Sequence, residues 1–339
     1  MTAYQRLTIA DIAALAGVSK TTASMILNGR AEQYRIAPAT VARVQQVAAE
    51  HHFQPSASAR LLRSRRSGTL GLVIPELTNF AHAMLAQTLE PLCRDAGFQL
   101  FVVSSNDDAE MEVKAVEQLL ARQVDGLLLV PCTNQAKLYT KWAKRLPLVL
   151  LDRRVIDSPL PFVVSDAQTP VCELISQTLA QGVNEIAYFG GQKDLSPSID
   201  RLAGFHQAWQ AAGKTADAAL IYHRDYQQHS GLEMMQECYA QLGRYPQAIF
   251  TASISLLEGV LEFMNQHDHF RTAPRYLMSF DDHRLLDCLP RPINAVVQDS
   301  AGLAAQGLAR IQALLAGEPV SAAWVPAHIN WRQPYPLPA

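Results

Sequence analysis

The first 66 residues of the chain have the chemistry needed to bind a polyanion. They contain nine Lys and Arg but only three acids, a formal charge of +6, whereas the whole 339-residue chain has a net charge of −2, so the remainder carries −8. Near the end of this segment Arg60, Arg63, Arg65 and Arg66 flank Leu62. Cations at this density contact phosphates, and an aliphatic side chain among them can part a base step from the minor groove. This composition predicts binding to double-stranded DNA.

Adjacent acids at Asp107-Asp108 and Asp281-Asp282 could in principle perform acid–base chemistry on a sugar. Side chains adjacent in sequence on a strand or loop usually point apart, so binding or solvated carboxylates are the simpler interpretation. The sequence has no G-x-S-x-G, phosphate-loop, H-E-x-x-H or G-x-G-x-x-G motif, and its histidines show no recurrent ligand spacing. We therefore expect no enzyme activity, no cofactor and no metal site.

Two short helices are predicted at the start of the basic segment. Thr8 and Asp11 fit a capping box that begins the first helix. After the turn at Gly17, Ser19 can cap a second helix, Lys20 to Leu27, which Asn28-Gly29 ends. Two such helices joined by a few residues that include glycine make a helix-turn-helix.

A third amphipathic helix is predicted to begin near Pro38, to bury Val41, Val44 and Val47, and to end around residues 51–52. Three helices of this length can close a small core. A helical bundle with a solvated basic face is the alternative to a DNA-binding headpiece at this point, and the excess of positive charge favours the headpiece.

A major groove admits the second helix of a helix-turn-helix with its N-terminal residues at the base edges. On this helix Ala23 and Ile26 are predicted to face inward, and Lys20 and Thr21 are the expected base readers. The residues predicted to contact DNA from the helical part are Thr8, Ser19, Lys20, Thr21, Thr22, Ser24, Met25, Asn28, Tyr34 and Arg35.

The segment from Phe53 to Gly68 is predicted to order only on DNA. Pro55 can open a short helix over residues 56–63, but a helix this short with two serines is not stable alone. A plain interdomain linker is the alternative. In the DNA-bound reading, this segment contacts DNA through Ser56, Ala59, Leu62 and Arg63.

From residue 70 onward, short apolar runs alternate with helical stretches, which predicts an α/β fold with parallel sheets. Many of these runs end in a polar or small residue, and ligands bind at the carboxyl ends of such strands. The predicted strands are 70–75, 98–105, 124–131, 147–152, 161–166, 185–191, 248–253, 275–282 and 293–299.

The overall composition is that of a soluble globular protein, with 49% hydrophobic and 18% charged residues. No apolar run approaches the roughly 20 residues needed to span a bilayer, and the start resembles no signal peptide. The five scattered cysteines argue against a disulfide framework. We expect a cytoplasmic protein that does not bind membranes.

Three segments of this sequence resemble the headpiece and hinge of the lactose-repressor (LacI/GalR) family. They are TIADIAALAGVSKTTASMILNGR (8–30), T-x-x-R-V (40–44) and P-S-A-S-A-R-L-L (55–62). The resemblance runs nearly end to end, and EQYRI (32–36), FGGQKDLSPSIDRLAGF (189–205) and SFDDH (279–283) are most similar to the branch that answers to sucrose and fructose-type effectors. One departure is Ala37, which stands where the family usually has a capping serine.

The resemblance implies a helix-turn-helix domain at 1–54, a hinge at 55–68 and an effector-binding and dimerisation body at 69–339. The body is expected to form two doubly wound parallel-sheet lobes, as in periplasmic sugar-binding proteins. Lobe one is placed at about 69–164 and 297–324, and lobe two at 165–296 and 325–339. The effector site is the cleft between them.

The resemblance also implies which cleft residues recognise the effector. Arg201 matches the family arginine that grips sugar hydroxyls, Asp281 the family's sugar-binding acid, and Tyr226 a position where an aromatic ring stacks on the sugar. Arg153 could also provide charge for a phosphorylated hexose. The full predicted set is Glu76, Asn79, Asp152, Arg153, Arg201, Tyr226, Ser253, Asp281 and Gln298.

As a member of this family the chain is expected to be a homodimeric repressor of a sugar-utilisation operon. Two headpieces would read a palindromic operator, and a sugar or sugar phosphate would release it. A pleiotropic carbon-flux regulator that also activates genes is the alternative within the class. A solute-binding protein is a distant one, since it would have no use for residues 1–66. The proline-containing tail has no leucine heptads, so no helical tetramerisation segment is expected.

Overall fold

The computed structural model of the chain describes residues 7–53 and 66–332. The chain divides into two compact units, Met1–Ser67 and Gly68–Ala339. Among the described helices none is long and apolar enough to cross a membrane alone. Only the helices Ile9–Leu15 and Lys20–Leu27 reach the necessary length and apolar character when taken together, and they are bent by 106° relative to each other.

Residues 7–53 of the first unit form three helices: α1 (Ile9–Leu15), α2 (Lys20–Leu27) and α3 (Pro38–Glu50). They enclose a small core around Ile12, Ile26 and Val44, with Val41 and Val47 partly buried against it. The boundaries predicted for the second helix are confirmed, and the third ends one residue before the predicted range.

The ends of these helices follow from local chemistry. At α1 both bonds of the predicted capping box are present: the Thr8 hydroxyl accepts from the Asp11 backbone N–H, and the Asp11 carboxylate accepts from the Thr8 N–H at 2.7 Å. Ser19 caps α2 by accepting from the Thr22 N–H at 3.0 Å. Ala37 precedes α3 without any side-chain cap, and Pro38 occupies the first helical position.

The described part of the second unit, residues 68–332, is built on two six-stranded sheets. The strands of the first sheet are β1 (Thr69–Ile74), β2 (Gln99–Ser104), β3 (Gly126–Leu129), β4 (Leu148–Leu151), β5 (Phe162–Asp166) and β11 (Ala323–Pro326). Their order in the sheet is β11-β5-β4-β3-β1-β2, and all the strand pairs are parallel.

The strands of the second sheet are β6 (Ile186–Gly190), β7 (Ile221–His223), β8 (Ala248–Thr251), β9 (Tyr276–Phe280), β10 (Ile293–Val297) and β12 (His328–Asn330). They repeat the order of the first sheet as β12-β10-β9-β8-β6-β7, and of the described pairs only β10–β12 is antiparallel. Each position in the first sheet therefore has an equivalent in the second.

Helices connect the strands of both sheets. Those of the first sheet are α4 (Phe80–Asp95), α5 (Ala109–Ala121), α6 (Ala136–Ala143) and α11 (Ser300–Ala316), and those of the second are α7 (Gln168–Ala180), α8 (Ser196–Ala211), α9 (Gln228–Leu242) and α10 (Ile254–Asp268). Two short 3₁₀ turns lie at Ala218–Leu220 and Arg284–Cys288.

The sequences of the inner strands are continuous apolar runs because both faces of each sheet are buried. In the first sheet alternate residues enter separate cores, Leu72 against α4 and α11, and Val73 against α5 and α6. Every residue of β3, β4, β6, β8 and β9 is buried. A parallel sheet covered by helices on both faces requires this pattern.

The predicted fold class, a helical headpiece with a two-lobe parallel α/β body, is confirmed. All nine predicted strands are present, and the chain crosses between the sheets after β5, after β10 and after β11. The first-sheet strands β5 and β11 each extend two residues beyond the boundaries expected for lobe one, to Asp166 and Pro326. The short strands β7, β11 and β12 were not predicted.

Candidate functional site

A polar cavity of about 300 Å³, partly open to solvent, lies between the two lobes. Seven of its residues follow the carboxyl ends of strands in both sheets, where a doubly wound fold binds ligands, and the other four lie on α4 and α8. The cavity is lined by Asn79, Ala81, His82, Asp152, Arg153, Pro197, Arg201, Tyr226, Ser253, Asp281 and Gln298. Eight of the nine residues predicted from sequence are therefore brought together.

Arg201 enters the cavity from α8 and is 94% buried, with a relative exposure of 6%. Its guanidinium carbon lies 3.6 Å from the centroid of the Phe280 ring, so one face of the cation is covered by an aromatic ring. One terminal nitrogen donates to the Ala252 carbonyl oxygen, while Nε is buried with no hydrogen-bond partner among the described residues. An unsatisfied buried donor is costly, which suits a ligand acceptor at this point.

Asp281 follows β9 with a left-handed backbone, φ +69°. Its Oδ1 accepts from Gln298 Nε2 at 2.7 Å, and Gln298 Oε1 accepts from the Ser165 hydroxyl at 2.6 Å. Burial raises the pKa of Asp281, although the Arg201 cation and the Gln298 hydrogen bond oppose that shift. These two hydrogen bonds link Ser165 of lobe one to Asp281 of lobe two through Gln298, in a segment where the polypeptide crosses between the lobes.

Arg153 follows β4 and is buried with an ion-pair partner. Its guanidinium donates to Asp107 Oδ1 at 2.7 Å and to the Pro131 carbonyl oxygen at 3.2 Å. Burial by itself would raise the pKa of Asp107, but the Arg153 charge and hydrogen bond outweigh it and hold the pKa below its usual value. Asp152, beside it, has φ +59°.

Three of the predicted cavity residues also form hydrogen bonds within the protein. The Asn79 side chain caps α4 by accepting from the Ala81 N–H at 3.1 Å, and the Ser253 hydroxyl caps α10. The Tyr226 hydroxyl lies 2.7 Å from the Ser198 hydroxyl. Gly191 is required beside Tyr226, because a Cβ there would stand 2.1 Å from a ring carbon.

Glu76 is the one predicted effector residue outside the cavity lining. Its carboxylate accepts from Gln227 Nε2, across the gap between the lobes. Two further contacts bridge the lobes: Gln192 Nε2 donates to Asp107 Oδ2 at 3.1 Å, and Arg154 forms a two-point ion pair with Asp200. Glu76 thus belongs to the set that holds the lobes together.

His82 lines the cavity but was not singled out from the sequence. It lies on the first turn of α4, is 5% exposed, and places Nε2 3.8 Å from Asp152 Oδ2. Its position three residues after the helix-capping Asn79 was the only available signal, since a helix that starts beside a cleft presents its first turn to it.

The combined groups suit a polyhydroxylated ligand. Carboxylates accept from hydroxyls, guanidinium groups and the Gln298 amide donate to oxygen, and Tyr226 provides an aromatic surface near the Arg201 cation. Over residues 7–53 and 66–332, no group of three His, Cys, Asp or Glu side chains has the geometry to hold a metal ion.

In the headpiece Lys20 and Thr21 are exposed at the N-terminus of α2, and Ser24 and Met25 are partly exposed on the same helix. This is the arrangement that a helix entering a major groove needs. Beyond α2, Tyr34 is 47% exposed, and Arg35 is exposed with φ +48°.

Other predicted DNA contacts are engaged in helix ends. Thr8, Ser19 and Thr22 form capping hydrogen bonds, and the Asn28 amide donates to the Ser24 carbonyl oxygen at 2.5 Å. Hydroxyls at a helix N-terminus still lie where phosphates bind. The hinge residues Ser56, Ala59, Leu62 and Arg63 lie outside the described residues.

Comparison with known families accounts for both units. Residues 8–56 match the bacterial regulatory proteins of the lacI family, and residues 67–321 match the periplasmic binding proteins and sugar binding domain of LacI family. The chain belongs to the LacI family. A LacI-family member has a DNA-binding domain and a sugar-binding-type domain in one chain, which is the pairing found here.

Individual LacI-family relatives are similar over most of their length. The sucrose operon repressor of Klebsiella pneumoniae is 45% identical over 97% of this chain and 99% of its own. The catabolite repressor/activator of Salmonella typhimurium is 35% identical over 85% of this chain and 86% of its own. Among solved structures, the Cra transcriptional dual regulator of Pseudomonas putida in complex with fructose 1-phosphate has a TM-score of 0.73 and 28% identity, and covers 79% of this chain and 99% of its own.

Proposed function

We propose that this protein is a cytoplasmic transcriptional repressor of a sucrose or fructose utilisation operon. The headpiece binds a palindromic operator, and a sugar or sugar phosphate that enters the cavity between the lobes releases it. The observation that carries this proposal is the convergence of two arginines, two aspartates and an amide from both lobes on one cavity, in a chain that also has a helix-turn-helix.

Release requires that the effector bind one lobe arrangement better than the other, because equal affinity for both would shift nothing. The cavity suits this requirement, since Asp152 and Arg153 follow β4 of lobe one, whereas Arg201 on α8 and Asp281 after β9 belong to lobe two. A ligand that contacts both pairs favours the closed arrangement. The motion is transmitted to the hinge segment, where Leu62 and its neighbouring arginines engage the centre of the operator.

The same proposal includes a homodimer formed mainly through lobe one. The edge strand β2 exposes Phe101 and Val102, and Met111 on the neighbouring α5 is 40% exposed. Apolar side chains clustered at an unpaired sheet edge favour association with a second copy. A two-fold dimer would present two headpieces to a palindromic site.

The test is a titration of operator affinity with D-fructose, fructose 1-phosphate and sucrose, measured by fluorescence anisotropy at fixed salt. At least one of these ligands is expected to weaken binding to the operator while binding to a scrambled duplex is unchanged. If none of them changes operator affinity, the proposed effector class is wrong. If the symmetric duplex is not preferred over the scrambled one, the repressor assignment itself fails.

A pleiotropic regulator is the second candidate, favoured by the 35% identity to a catabolite repressor/activator. Such a protein would occupy many promoters, some of which it activates. A genome-wide map of binding sites combined with transcript levels in a deletion strain distinguishes the two: one repressed operon supports the first candidate, and a distributed set with activated genes supports the second.

A further inference from the structure

Arg332, which follows β12, is a buried arginine outside the cavity lining. Its side chain is 8% exposed, and its guanidinium forms ion pairs with Asp282 at 2.7 Å and with Asp287 at 2.6 Å. It also donates to the Ile293 carbonyl oxygen at 3.2 Å, and its backbone N–H donates to the Asn294 side chain at 2.8 Å. A planar cation with this many partners holds them in one geometry.

The two acids paired with Arg332 lie at opposite ends of one short segment of lobe two, residues 282–287. Asp282 directly follows the cavity residue Asp281, and Asp287 lies on the second 3₁₀ turn. The side-chain amide of the last residue of β12 also donates to Asp282, at 3.0 Å. Burial by itself would raise the pKa of Asp282, but Arg332 and this amide outweigh it and hold the pKa below its usual value. The segment is therefore fixed at both ends.

His283, inside this segment, forms a contact between the lobes. Its ring lies edge-on to the ring of Phe80, the first residue of α4 in lobe one, with the centroids 4.4 Å apart. Phe80 also packs against the hydrophobic core of lobe two. The orientation of the His283 ring is set within its own segment, because Nδ1 accepts from the Leu285 N–H at 3.0 Å. Since the two rings belong to different lobes, their contact depends on the closed arrangement.

We propose that Arg332 is a positioning residue for the effector response. By holding both ends of the segment 282–287, it keeps Asp281 at the cavity and keeps His283 in place as the seat for Phe80. Arg332 acts through these residues and does not line the cavity itself. This inference rests on the proposed function, because it takes closure of the lobes as the step that an effector favours.

The first experiment measures binding of D-fructose, fructose 1-phosphate and sucrose to the full-length protein by isothermal titration calorimetry. Arg332→Met leaves Asp282, whose side chain is 16% exposed, without its cation. The sugar that the wild type binds should bind this variant about 10-fold more weakly, because closure then costs more free energy. Operator affinity without sugar should not fall. Phe80→Ala should weaken binding to a similar degree, and the double variant should lose less than the two single losses combined.

Two milder variants test the same role. Arg332→Lys keeps the charge but not the two-pronged geometry, and should recover part of the affinity that Arg332→Met loses. Asp287→Asn breaks only the pair with the acid that is 61% exposed, and should give a smaller loss. This variant keeps the inference testable if Arg332→Met does not fold.

Hydrogen exchange of the protein without sugar separates positioning across the lobes from local stabilisation. A purely local role for Arg332 would speed exchange in Arg332→Met at residues 282–287 alone. We expect residues 81–83, in the first turn of α4, to exchange faster as well, because the ring contact that joins this turn to the other lobe is weakened. The amides of these three residues all bond to Asn79 in the wild type, so their protection is measurable.

Arg310→Met is the matched control. Arg310 lies on α11 of lobe one, where its guanidinium donates to Ser321 and Gln306, and its loss should change neither sugar affinity nor exchange at residues 81–83. The inference is overturned if Arg332→Met keeps the wild-type exchange at residues 81–83, or if it binds sugar as tightly as the wild type. If the wild type binds none of the three sugars, the proposed effector class fails, and exchange at residues 81–83 alone decides the role of Arg332.

Discussion

The two aspartates of the cavity occupy equivalent and unusual positions in the two lobes. Asp152 follows β4 and Asp281 follows β9, the third strand in each sheet order, with φ +59° and φ +69°. Left-handed backbone at a residue other than glycine costs of order 1 kcal/mol and is concentrated at functional sites. At both strand ends the backbone turns at the cavity wall. The two lobes, which share one topology, therefore each contribute an aspartate to the cavity, Asp152 and Asp281.

Replacement of Arg201 by Ala should remove the response to effector while operator affinity stays intact. The change deletes a buried cation beside Asp281 and leaves that carboxyl without its charge partner, so effector affinity should fall about 100-fold. Anisotropy titration with and without sugar measures both quantities. Arg244→Ala, which breaks an exposed ion pair with Glu185, is the matched control and should behave as the wild type.

The buried His82 should make stability depend on pH. Its pKa of about 4 in the folded protein lies below the ordinary 6.5, so between these values the unfolded chain binds a proton that the folded chain does not. Stability from this residue is present above pH 6.5 and is lost as pH falls towards 4. Between pH 7 and pH 5 the loss is about 2 kcal/mol.

Urea denaturation at the two pH values, in wild type and in His82→Phe, measures that contribution. The wild type should lose more free energy of unfolding than the variant on acidification. Equal losses in both proteins would mean that His82 titrates normally in the folded state.

Some helices of the protein are stabilised at their N-termini by a capping side chain, and one depends on tertiary packing instead. The helices α1, α2, α4 and α10 each begin at a side chain that accepts a backbone N–H, whereas α3 begins at Ala37 with no such bond. The missing bond leaves α3 dependent on Pro38 and on the apolar contacts of Val44 and Ala48.

Ala37→Ser should stabilise α3 by about 1 kcal/mol, since a serine hydroxyl can accept a free N–H of the first turn. The extended backbone of Ala37, φ −56° and ψ 135°, suits a capping residue. Hydrogen exchange of the α3 amides in the full-length protein measures the gain. Ala42→Ser, an exposed change inside the same helix, should give no gain or a small loss, because serine is a poorer helix former than alanine.

At the scale of the whole second unit, polar contacts join the lobes on two sides of the cavity. The Asp281–Gln298–Ser165 chain lies at a crossing segment, and the Arg154–Asp200 ion pair, strengthened by the Ser196 hydroxyl on the Arg154 N–H at 2.9 Å, lies between α8 and the loop after β4. These contacts favour the closed arrangement before any effector is bound.

Asp200→Asn should lower effector affinity severalfold, because the ligand must then supply more of the free energy of closure. Arg154→Met should do the same, and the double variant should lose less than the two single losses added. A coupling of about 1 kcal/mol is expected for a pair of which each side chain is 19% exposed. Additive losses, measured by calorimetry with a bound sugar, would show that the pair does not control closure.

Charge placed on the β2 edge should disrupt the proposed dimer. Phe101→Glu combined with Val102→Glu puts two carboxylates on the exposed apolar edge of the first sheet, so the protein should sediment as a monomer and bind a palindromic operator at least 10-fold more weakly. Trp324→Glu makes a similar change on β11, the opposite edge of the same sheet, and serves as the control. If both variants remain dimeric, another surface carries the interface.

The sequence by itself determined the features that depend on near neighbours along the chain. The capping box of Thr8 and Asp11 and the limits of α2 are decided within four residues, and each of the nine predicted strands is a short apolar run in the sequence. Eight of the nine residues predicted to contact the effector line one cavity, because each follows a strand or matches a family motif and the parallel topology brings strand ends to one edge.

Only the tertiary structure decided the features that depend on distant partners. The strands β7 and β12 have three residues each, and β11 takes its place from parallel pairing with β5, so their sequences carry little periodicity. Asp107 meets Arg153 across 46 residues, and His82 reaches the cavity only because α4 starts beside Asp152. A side chain's charge partner and ligand contacts are set by which strand ends the sheets bring together, and spacing along one chain does not contain that information.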